Sequence, residues 1–460
     1  MTRRAALAVI AGAGLGFAAF GPRGTRERSD GRVVLDYWEK WTGAEGRAMQ
    51  GLVDRFNQSQ DRIYVRYLTQ AGVDQKALIS IAAGDPPDII GLYHYNIPQY
   101  AETGALMSFD ELDPEGHLRP ENYEPAIRPI MLHPDRTRRV RQWAVINTCG
   151  TLALYYNRSI FREVGLDPDR PPQTVSELVE ANRRIEIRSA SGDLERLGFF
   201  HLEPGWWSWI WSNYFGRGIY DPASDRMLLD DAATIGAFEW MQSEATRLGV
   251  DASRTFRAGL GTYDSTLNGF LTGKIAMVVQ GPWLANVIAA HGPKDANGRP
   301  TLDYGVTPFV TSDSAFDASQ PVGAVESDVL VVPKGCRFPR EAMEFIRFTQ
   351  RQDQVEALSL AHYKNSPLVA KSESFLANHP NRGVRVFDSI AQSPRGFLAP
   401  RTRAWPQIKG ELDAAFWRLW ASERPARDEL ATLQTRTQAM LDLLEEQRNR
   451  RGFSMRGSPG

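Results

Sequence analysis

The sequence predicts an α/β fold in which short buried strands alternate with amphipathic helices. Short apolar runs at 33–35, 63–67 and 89–92 are the first sign, because each has the length of a strand. The second sign is that the segments between them carry apolar residues at helical spacing. Strands joined by helices of this length favour a parallel sheet with crossover connections.

The first predicted unit begins at Val33. A strand at 33–38 is followed by a helix, a second strand at 63–67 and a second helix that Gly84 and Pro86 end. The third strand, 88–92, is predicted to be buried. The apolar stripe of the first helix consists of Ala48, Met49, Leu52, Val53 and Phe56.

A second unit of the same kind is predicted from Asn147. Its elements are strands at 151–156, 275–279 and 329–333, and helices at 159–164, 176–187, 340–350 and between 405 and 450. The strand at 275–279 runs into Gly281-Pro282-Trp283, where proline suits the first turn of a helix. No internal repeat or low-complexity linker occurs, so the units are predicted to be interwoven, and 448–460 is predicted to be a disordered tail.

The amino terminus has the pattern of an export signal. Arg3 and Arg4 precede an unbroken run of apolar and small residues from Ala5 to Phe20. This run is short for a membrane span, which needs about twenty residues. Residues 1–30 are therefore predicted to be a signal peptide or, if uncleaved, a membrane anchor, and the location is predicted to be periplasmic or otherwise extracytoplasmic.

Composition argues against several classes of protein. The 54 Lys and Arg against 55 Asp and Glu leave a formal charge of −1, so we predict no nucleic-acid partner. Cys149 and Cys336 lie far apart with no CxxC motif, so we predict no metal site and no cofactor, and a disulfide between them stays open. The unusual feature is twelve Trp, of which four fall within 206–211.

Several motifs occur in an order typical of one protein family. In chain order they are DPPDII at 85–90, YAETGAL at 100–106, LYYN at 154–157, PPQT at 171–174, GKIAM at 273–277, GPW at 281–283, YGVT at 304–307, PVG at 321–323 and EAMEFI at 341–346. Over residues 33 to 370 the chain thereby resembles the extracellular solute-binding protein family 1, the sugar-binding components of ABC importers. Within that family it is most similar to the maltose-binding type.

The resemblance implies a two-lobed periplasmic-binding-protein type II fold, in which the chain passes between the lobes three times. The implied passages lie near 142–148, 303–307 and 349–354. Lobe one then takes 31–146 and 306–350, and lobe two takes 147–305 and 351–447. The ligand is implied to lie in the cleft between the lobes, which close on it by a hinge motion.

By the same resemblance, the function is that of an exported receptor that binds a sugar or oligosaccharide and delivers it to the permease of an ABC transporter. No covalent chemistry is required, so we predict that the protein is not an enzyme, and we expect a monomer. The sequence leaves the identity and the length of the sugar open, since loops shape the cleft.

The tryptophans and their polar neighbours are the candidate ligand contacts. A pyranose offers apolar C–H faces and a rim of hydroxyl groups, so its receptor needs flat aromatic rings and a few oriented polar groups. Ligands of open α/β sheets lie beyond the carboxyl ends of strands. The predicted contacts are Trp38, Glu39, Trp41, Tyr93, His94, Trp206, Trp207, Trp209, Trp283 and Tyr363.

Some of these residues have an alternative role in the fold. Trp38 and Trp41 would otherwise be core residues, and Glu39 would form a solvated pair with Lys40. The spacing of the four tryptophans in 206–211 wraps around a helix, so we expect two of them at the cleft and leave open which two.

The sequence offers little support for an enzyme. It contains no GxSxG, HExxH or GxxxxGK[ST] motif. A secreted glycoside hydrolase is one alternative, because it also combines tryptophans with carboxylates, but it requires two carboxyl groups about 5 to 10 Å apart. A surface carbohydrate-binding adhesin without a transport function is the other.

Overall fold

Strands and helices alternate along the chain, as the α/β prediction requires. The computed structural model describes residues 31–456, with side chains up to Arg448, so the predicted signal segment lies outside the described residues. The strands are β1 (Val33–Glu39), β2 (Ile63–Thr69), β3 (Ile89–Tyr93), β4 (Leu132–Pro134), β5 (Val140–Gln142), β6 (Val145–Thr151), β7 (Ala153–Asn157), β8 (Ile187–Arg188), β9 (Leu194–Phe199), β10 (Tyr220–Asp221), β11 (Arg226–Met227), β12 (Ile275–Gln280), β13 (Tyr304–Thr307), β14 (Gly323–Val331) and β15 (Gly396–Phe397). The helices are α1 (Gly43–Ser59), α2 (Val73–Ala82), α3 (Ile97–Thr103), α4 (Phe109–Leu112), α5 (Arg128–Met131), α6 (Arg158–Glu163), α7 (Val175–Ile185), α8 (Ala232–Leu248), α9 (Val250–Ala258), α10 (Leu284–His291), α11 (Pro339–Thr349), α12 (Gln352–Ala361), α13 (Glu373–Ala377), α14 (Val384–Gln392), α15 (Trp405–Trp420) and α16 (Ala426–Arg456).

The first sheet combines strands from distant parts of the chain. Its order is β2, β1, β3 and β14, and β6 and β15 also pair with β14. β1 is parallel to β2 and β3, whereas β14 is antiparallel to β3 and β6. Every residue of β1 after Val33 is buried, as expected of a parallel strand covered on both faces. Tyr37 of β1, Phe56 of α1 and Phe345 of α11 share one core, and we call this unit lobe one.

The second sheet has the order β13, β7, β12, β9 and β8. β12 is buried along its whole length, antiparallel to β7 and parallel to β9. Helix α7 begins at a capping box, in which Thr174 and Glu177 each accept a hydrogen bond from the backbone N–H of the other. Trp405 and Trp420 anchor α15 in the core of this unit, which we call lobe two.

Before β15, the chain passes between the two sheets three times. The first passage lies at Leu152, between β6 and β7. The second lies between Thr307, the end of β13, and Gly323, the start of β14. The third lies between Ala361 and Val384, because α12 contributes to the core of lobe one while α14 packs under the second sheet.

These passages lie later in the chain than the sequence analysis placed them. Pairing with β14 keeps 148–151 in the first sheet, and pairing with β7 keeps Val306 and Thr307 in the second. Val355 and Leu358 of α12 are buried in the core of lobe one, although 351–361 was assigned to lobe two. Strand pairing and the burial of apolar side chains, not the position of a motif, decide to which sheet a segment belongs.

The last helix extends beyond its predicted end. α16 continues to Arg456, whereas disorder was predicted from Arg448. The guanidinium of Arg448 lies 3.1 Å from a carboxylate oxygen of Glu102 in α3 and 2.9 Å from one of Glu445. Glu445 in turn lies 3.0 Å from Arg138 of lobe one. These ion pairs hold the end of α16 against lobe one.

Neither Cys149 nor Cys336 is part of a disulfide in the structure. Cys149 is enclosed in β6, where burial raises the pKa of its thiol to about 12. Cys336 follows β14, with its sulfur 3.6 Å from Oδ1 of Asp88. The disulfide that the sequence left open is therefore not formed in the structure.

Candidate functional site

Aromatic side chains from the two lobes lie on either side of Lys364, at a place that we call the gap. Trp41 follows β1 in lobe one, and Trp283 stands at the start of α10 in lobe two. The ammonium of Lys364, in the third passage, lies 5.3 Å from the ring centre of Trp41 and 5.7 Å from that of Trp283. At these distances an aromatic face attracts a cation. Lys364 thus occupies the space between the rings, and Trp41, which His362 also covers, is only 5% exposed.

The ring of Trp283 is held in place by its neighbours. Its Nε1 donates to Oε1 of Gln280 at 2.9 Å. The ring lies close against Gly150 and Gly281, where a Cβ would come within 2.8 Å and 2.3 Å of ring carbons. The absence of a side chain at these two positions is what allows the ring to approach the backbone so closely.

A group of buried charges, which we call the lysine–carboxylate cluster, adjoins Trp41. Its members are Glu39, Lys40, Glu45, Asp328 and Lys364. Nζ of Lys40 lies 2.9 Å from Oδ1 of Asp328 and 3.0 Å from Oε1 of Glu39. Nζ of Lys364 lies 3.1 Å from Oε1 of Glu45 and 3.4 Å from Oδ2 of Asp328. Asp328 therefore joins the two cations.

The charges of this cluster stabilise one another. Burial alone would raise the pKa of Asp328, but Lys40 and Lys364 lower it well below its ordinary value. Burial alone would lower the pKa of each lysine, but Asp328 with Glu39 raises that of Lys40, and Glu45 with Asp328 raises that of Lys364. Both lysines and Asp328 are thus charged at neutral pH.

Glu39 lies inside lobe one and does not face the gap. Its Oε2 accepts a hydrogen bond from the Tyr37 hydroxyl at 2.6 Å, and its Oε1 accepts one from the Lys40 backbone at 2.8 Å. The carboxylate covers Gly91, where a Cβ would lie 1.9 Å from Oε2. The prediction of a ligand contact at Glu39 is therefore wrong, because the carboxylate is enclosed and positions Lys40.

Two of the predicted tryptophans are core residues. Trp38 packs in the core of lobe one, since its strand is covered on both faces. Trp209 is 2% exposed and lies between Phe397 and Trp405, at ring-centre distances of 5.8 Å and 5.7 Å. Neither has the open ring face that a stacked sugar requires, so the predictions for both are corrected.

Trp206 and Trp207 lie at the surface of lobe two. Trp206 is 42% exposed. Trp207 has its ring centre 6.3 Å from that of Trp283, and its Nε1 donates to Oε1 of Glu326 in lobe one at 3.0 Å. The expected helix is absent, because turns lead into a short 3-10 helix, Trp211–Phe215. Adjacent tryptophans therefore point in different directions, and Trp209 enters the core.

Tyr93 and His94 have different surroundings. Tyr93 is 40% exposed, with Nζ of Lys40 4.6 Å from its ring centre and Tyr95 stacked on it at 5.2 Å. His94 is buried, and its Nδ1 lies 3.3 Å from the backbone oxygen of Ser327. Burial lowers the pKa of His94 to about 4, so the ring is neutral at neutral pH. Tyr93 stays a predicted ligand contact, whereas His94 is enclosed as a hydrogen-bonding residue of its loop.

Tyr363 lies in the third passage, next to Lys364. Its φ of 59° falls in the left-handed region, and its side chain is half-buried. The amide nitrogen of Asn381 donates to the backbone oxygens of Tyr363 and Pro282, at 3.0 Å and 3.1 Å. These bonds tie the passage to the start of α10, and the role of Tyr363 in ligand binding stays a prediction.

Glu326, Asp328 and Lys364 are not among the contacts predicted from the sequence. A signal for the first two was present, because the carboxylates stand two residues apart within the apolar strand β14 and residues at that spacing share a face. Lys364 is the first of three consecutive buried polar residues, 364–366. Such a run has no hydrophobic periodicity from which its burial could be predicted.

Glu326 is a titratable contact between the lobes. Burial, reinforced by Asp328, raises its pKa from 4.5 to about 8 despite the hydrogen bond from Trp207. The unfolded chain therefore loses this proton at a lower pH than the folded protein, and the carboxyl lowers stability progressively as the pH rises from 4.5 to about 8. We expect Glu326→Gln to flatten this fall in the free energy of unfolding, by on the order of 2 kcal/mol in urea denaturation across that window.

A matched control for this experiment is Glu239→Gln, on the exposed face of α8. This substitution should leave the pH dependence of the free energy of unfolding unchanged. If Glu326→Gln keeps the wild-type slope between pH 5 and pH 8, Glu326 does not titrate as stated.

A large cavity, with a volume of about 1600 Å³, lies separately between the lobes. Of the predicted contacts, only Trp209 lines it. We place the aromatic contacts at the gap, because rings of both lobes meet there.

Within residues 31–456, no group of three or more His, Cys, Asp and Glu side chains is arranged to hold a metal ion. In the same range, no helix is both long enough and apolar enough to cross a membrane.

Comparison with known proteins shows which family has this architecture. Residues 51–374 match the family described as bacterial extracellular solute-binding protein. The sn-glycerol-3-phosphate-binding periplasmic protein UgpB of Yersinia enterocolitica is 21% identical over 429 residues, 90% of this chain and 93% of that protein. The maltotriose-binding protein of Pyrococcus abyssi is 22% identical over 337 residues, 73% and 66% of the two chains. The mannobiose complex of CpMnBP1 has a TM-score of 0.74 at 20% identity, covering 88% of this chain and 99% of that one. The predicted two-lobed fold is thereby confirmed.

Proposed function

We propose, because the chain belongs to the bacterial extracellular solute-binding protein family, that it is an exported receptor which binds a sugar or oligosaccharide and delivers it to an ABC transporter. The observation that supports a carbohydrate most directly is the pair of partly exposed rings Trp207 and Trp283 of lobe two. Their centres lie 6.3 Å apart, and Trp207 donates a hydrogen bond to Glu326 of lobe one. The three relatives compared above are named for, or hold, glycerol 3-phosphate, maltotriose and mannobiose, all of which are polyhydroxylated.

Binding follows from closure of the two lobes around the solute. The ring of Trp283 stacks on a C–H face of the sugar, and Lys364 and Glu326 supply polar partners for hydroxyl groups. Such partners are needed because a buried hydroxyl without one costs about 1 to 3 kcal/mol. The solute shifts the balance between open and closed forms only through its preference for the closed form. No bond is made or broken in this process.

The test combines binding with a search for turnover. The purified protein is screened by thermal shift against mono- and oligosaccharides, and the mixtures are then separated by chromatography. We expect at least one sugar to raise the melting temperature and to be recovered intact. Cleavage products would support the glycoside hydrolase instead.

Transport is tested in cells. Uptake of the labelled solute by cells that lack this protein should fall strongly relative to the parent strain. Unchanged uptake together with binding in vitro would favour the adhesin. Fractionation of the same cells tests the extracytoplasmic location, and light scattering of the purified protein tests the expected monomer.

A further inference from the structure

The wall of the large cavity contains a guanidinium without a carboxylate partner. Arg401, in the segment between β15 and α15, lines the cavity and donates a hydrogen bond to the backbone oxygen of Leu132. In the described part of the chain, no carboxylate lies within ion-pair distance of it. Burial lowers the pKa of Arg401 to about 10. Arg401 is partly buried at the cavity wall, and a guanidinium partly withdrawn from water is stabilised by a counter-charge.

The carboxylates of the cavity wall are engaged elsewhere and do not provide that counter-charge. Glu102 lies 3.1 Å from Arg448, and Glu445 lies 3.0 Å from Arg138. Asp135 and Asp225 are likewise bound, to Arg141 at 3.1 Å and to the hydroxyl of Tyr220 at 2.6 Å.

The rest of the cavity suits the body of an organic molecule. Apolar residues from both lobes, among them Pro129, Ile219 and Phe397, line it beside the charged groups. Its volume of about 1600 Å³ exceeds what a single small anion requires. The cavity therefore has room for the body of a sugar or polyol beside Arg401.

We propose that the cavity binds an oxyanion of the transported solute, a phosphate or a carboxylate carried on a sugar or polyol, with Arg401 as its principal counter-charge. This inference rests on the proposed receptor function and narrows its substrate class to an anionic carbohydrate. A guanidinium fits phosphate and carboxylate equally well, with two parallel N–H donors. A neutral sugar leaves Arg401 unpaired.

A first test uses inorganic anions. The melting temperature is measured in sodium phosphate and in sodium chloride at equal ionic strength, for wild type, Arg401→Gln and the control Arg183→Gln, which removes an exposed charge from α7. Phosphate raises the melting temperature of most proteins because it is excluded from the protein surface. The informative quantity is therefore the difference between the phosphate-induced rise in wild type and that in Arg401→Gln. We expect several degrees of extra stabilisation in wild type and Arg183→Gln, and its loss in Arg401→Gln. Equal shifts in all three proteins overturn the proposal.

A second test uses organic solutes in calorimetry. The probes are glycerol 3-phosphate, glycerophosphocholine and galacturonic acid, with maltotriose as the neutral comparison. We expect at least one anionic probe to bind, with a tenfold or larger loss of affinity in Arg401→Gln and weaker binding at high salt. Binding of the phosphate probes alone, or of galacturonic acid alone, identifies the oxyanion.

The outcomes separate this inference from the proposed function. If maltotriose binds equally to wild type and Arg401→Gln and no anionic probe binds, the receptor function stands and the oxyanion site is refuted. If no probe binds and phosphate gives no extra stabilisation, the oxyanion site is refuted, and the wider sugar screen described above decides the receptor function. Arg401→Lys guards against misfolding of the glutamine variant, since it keeps the charge but loses the planar fork. Arg401→Lys should retain part of the affinity for the anionic probe. If neither variant folds, Arg401 is needed for folding, and its role as the counter-charge of the solute is refuted.

Discussion

Trp283→Ala is expected to weaken binding of the solute by about 2 kcal/mol, roughly thirtyfold in the dissociation constant. The indole is the aromatic surface of lobe two at the gap, and Gln280 and the two glycines beneath it hold the ring in one position. A ring fixed before the ligand arrives loses little entropy on binding, so its removal costs most of the stacking energy. Calorimetry with the solute found by thermal shift measures the change.

The matched control for Trp283 is Trp417 of α15. It is 42% exposed and lies under the guanidinium of Arg257 at 4.5 Å, with no contact to the gap residues described above. Trp417→Ala should bind the solute as wild type does. If Trp283→Ala also retains full affinity, the stacking role of Trp283 is refuted.

Asp328→Asn is expected to lower the free energy of unfolding by about 3 kcal/mol at neutral pH. The substitution keeps the shape of the side chain but removes the charge that Lys40 and Lys364 share. Lys40 keeps its ion pair with Glu39, and Lys364 keeps its ion pair with Glu45. The decrease in the free energy of unfolding is therefore expected at the lower end of the range for a broken buried ion pair. Urea denaturation at pH 7 gives the value.

The pH dependence of this effect has a defined sign. Because the pKa of Asp328 is lowered in the folded protein, its contribution is present above the ordinary value of 3.8 and is lost only as the pH falls below it. Asp328 also helps to raise the pKa of Glu326, so the comparison is made in a Glu326→Gln background, in which the loss caused by Asp328→Asn should be constant from pH 5 to pH 8. The control is Asp353→Asn, which breaks an exposed pair with Arg351 and should change stability by less than about 0.5 kcal/mol. A loss of similar size in both variants would show that the buried cluster is not special.

Most of the fold could be predicted because its strands and helices carry a strong local pattern. β1, β3 and β12 are apolar runs whose burial is nearly complete, and motif order supplied the arrangement in two lobes. The passages between the lobes were placed too early, because a strand such as β6 looks the same in sequence whichever sheet it joins. Its membership is decided by pairing with β14, more than 170 residues away.

The candidate site was harder to predict because its members converge from distant segments. Tryptophan content pointed to Trp283 and Trp207, which do meet at the gap. It also selected Trp209, whose environment depends on an irregular turn and not on a helical period. Lys364 acquires its position only when the third passage brings it between Trp41 and Trp283. No local pattern encodes such a placement.

The ion pairs at the end of α16 make the behaviour of the receptor depend on the salt concentration. Arg138 and Glu102 belong to one half of the molecule, while Glu445 and Arg448 belong to the helix of the other. Solvent reaches these groups, and dissolved electrolyte weakens such attractions within a distance of about 8 Å under physiological conditions. We therefore expect cargo to be released faster in a saline environment than in a dilute one, because the ion pairs that join the two halves are weakened.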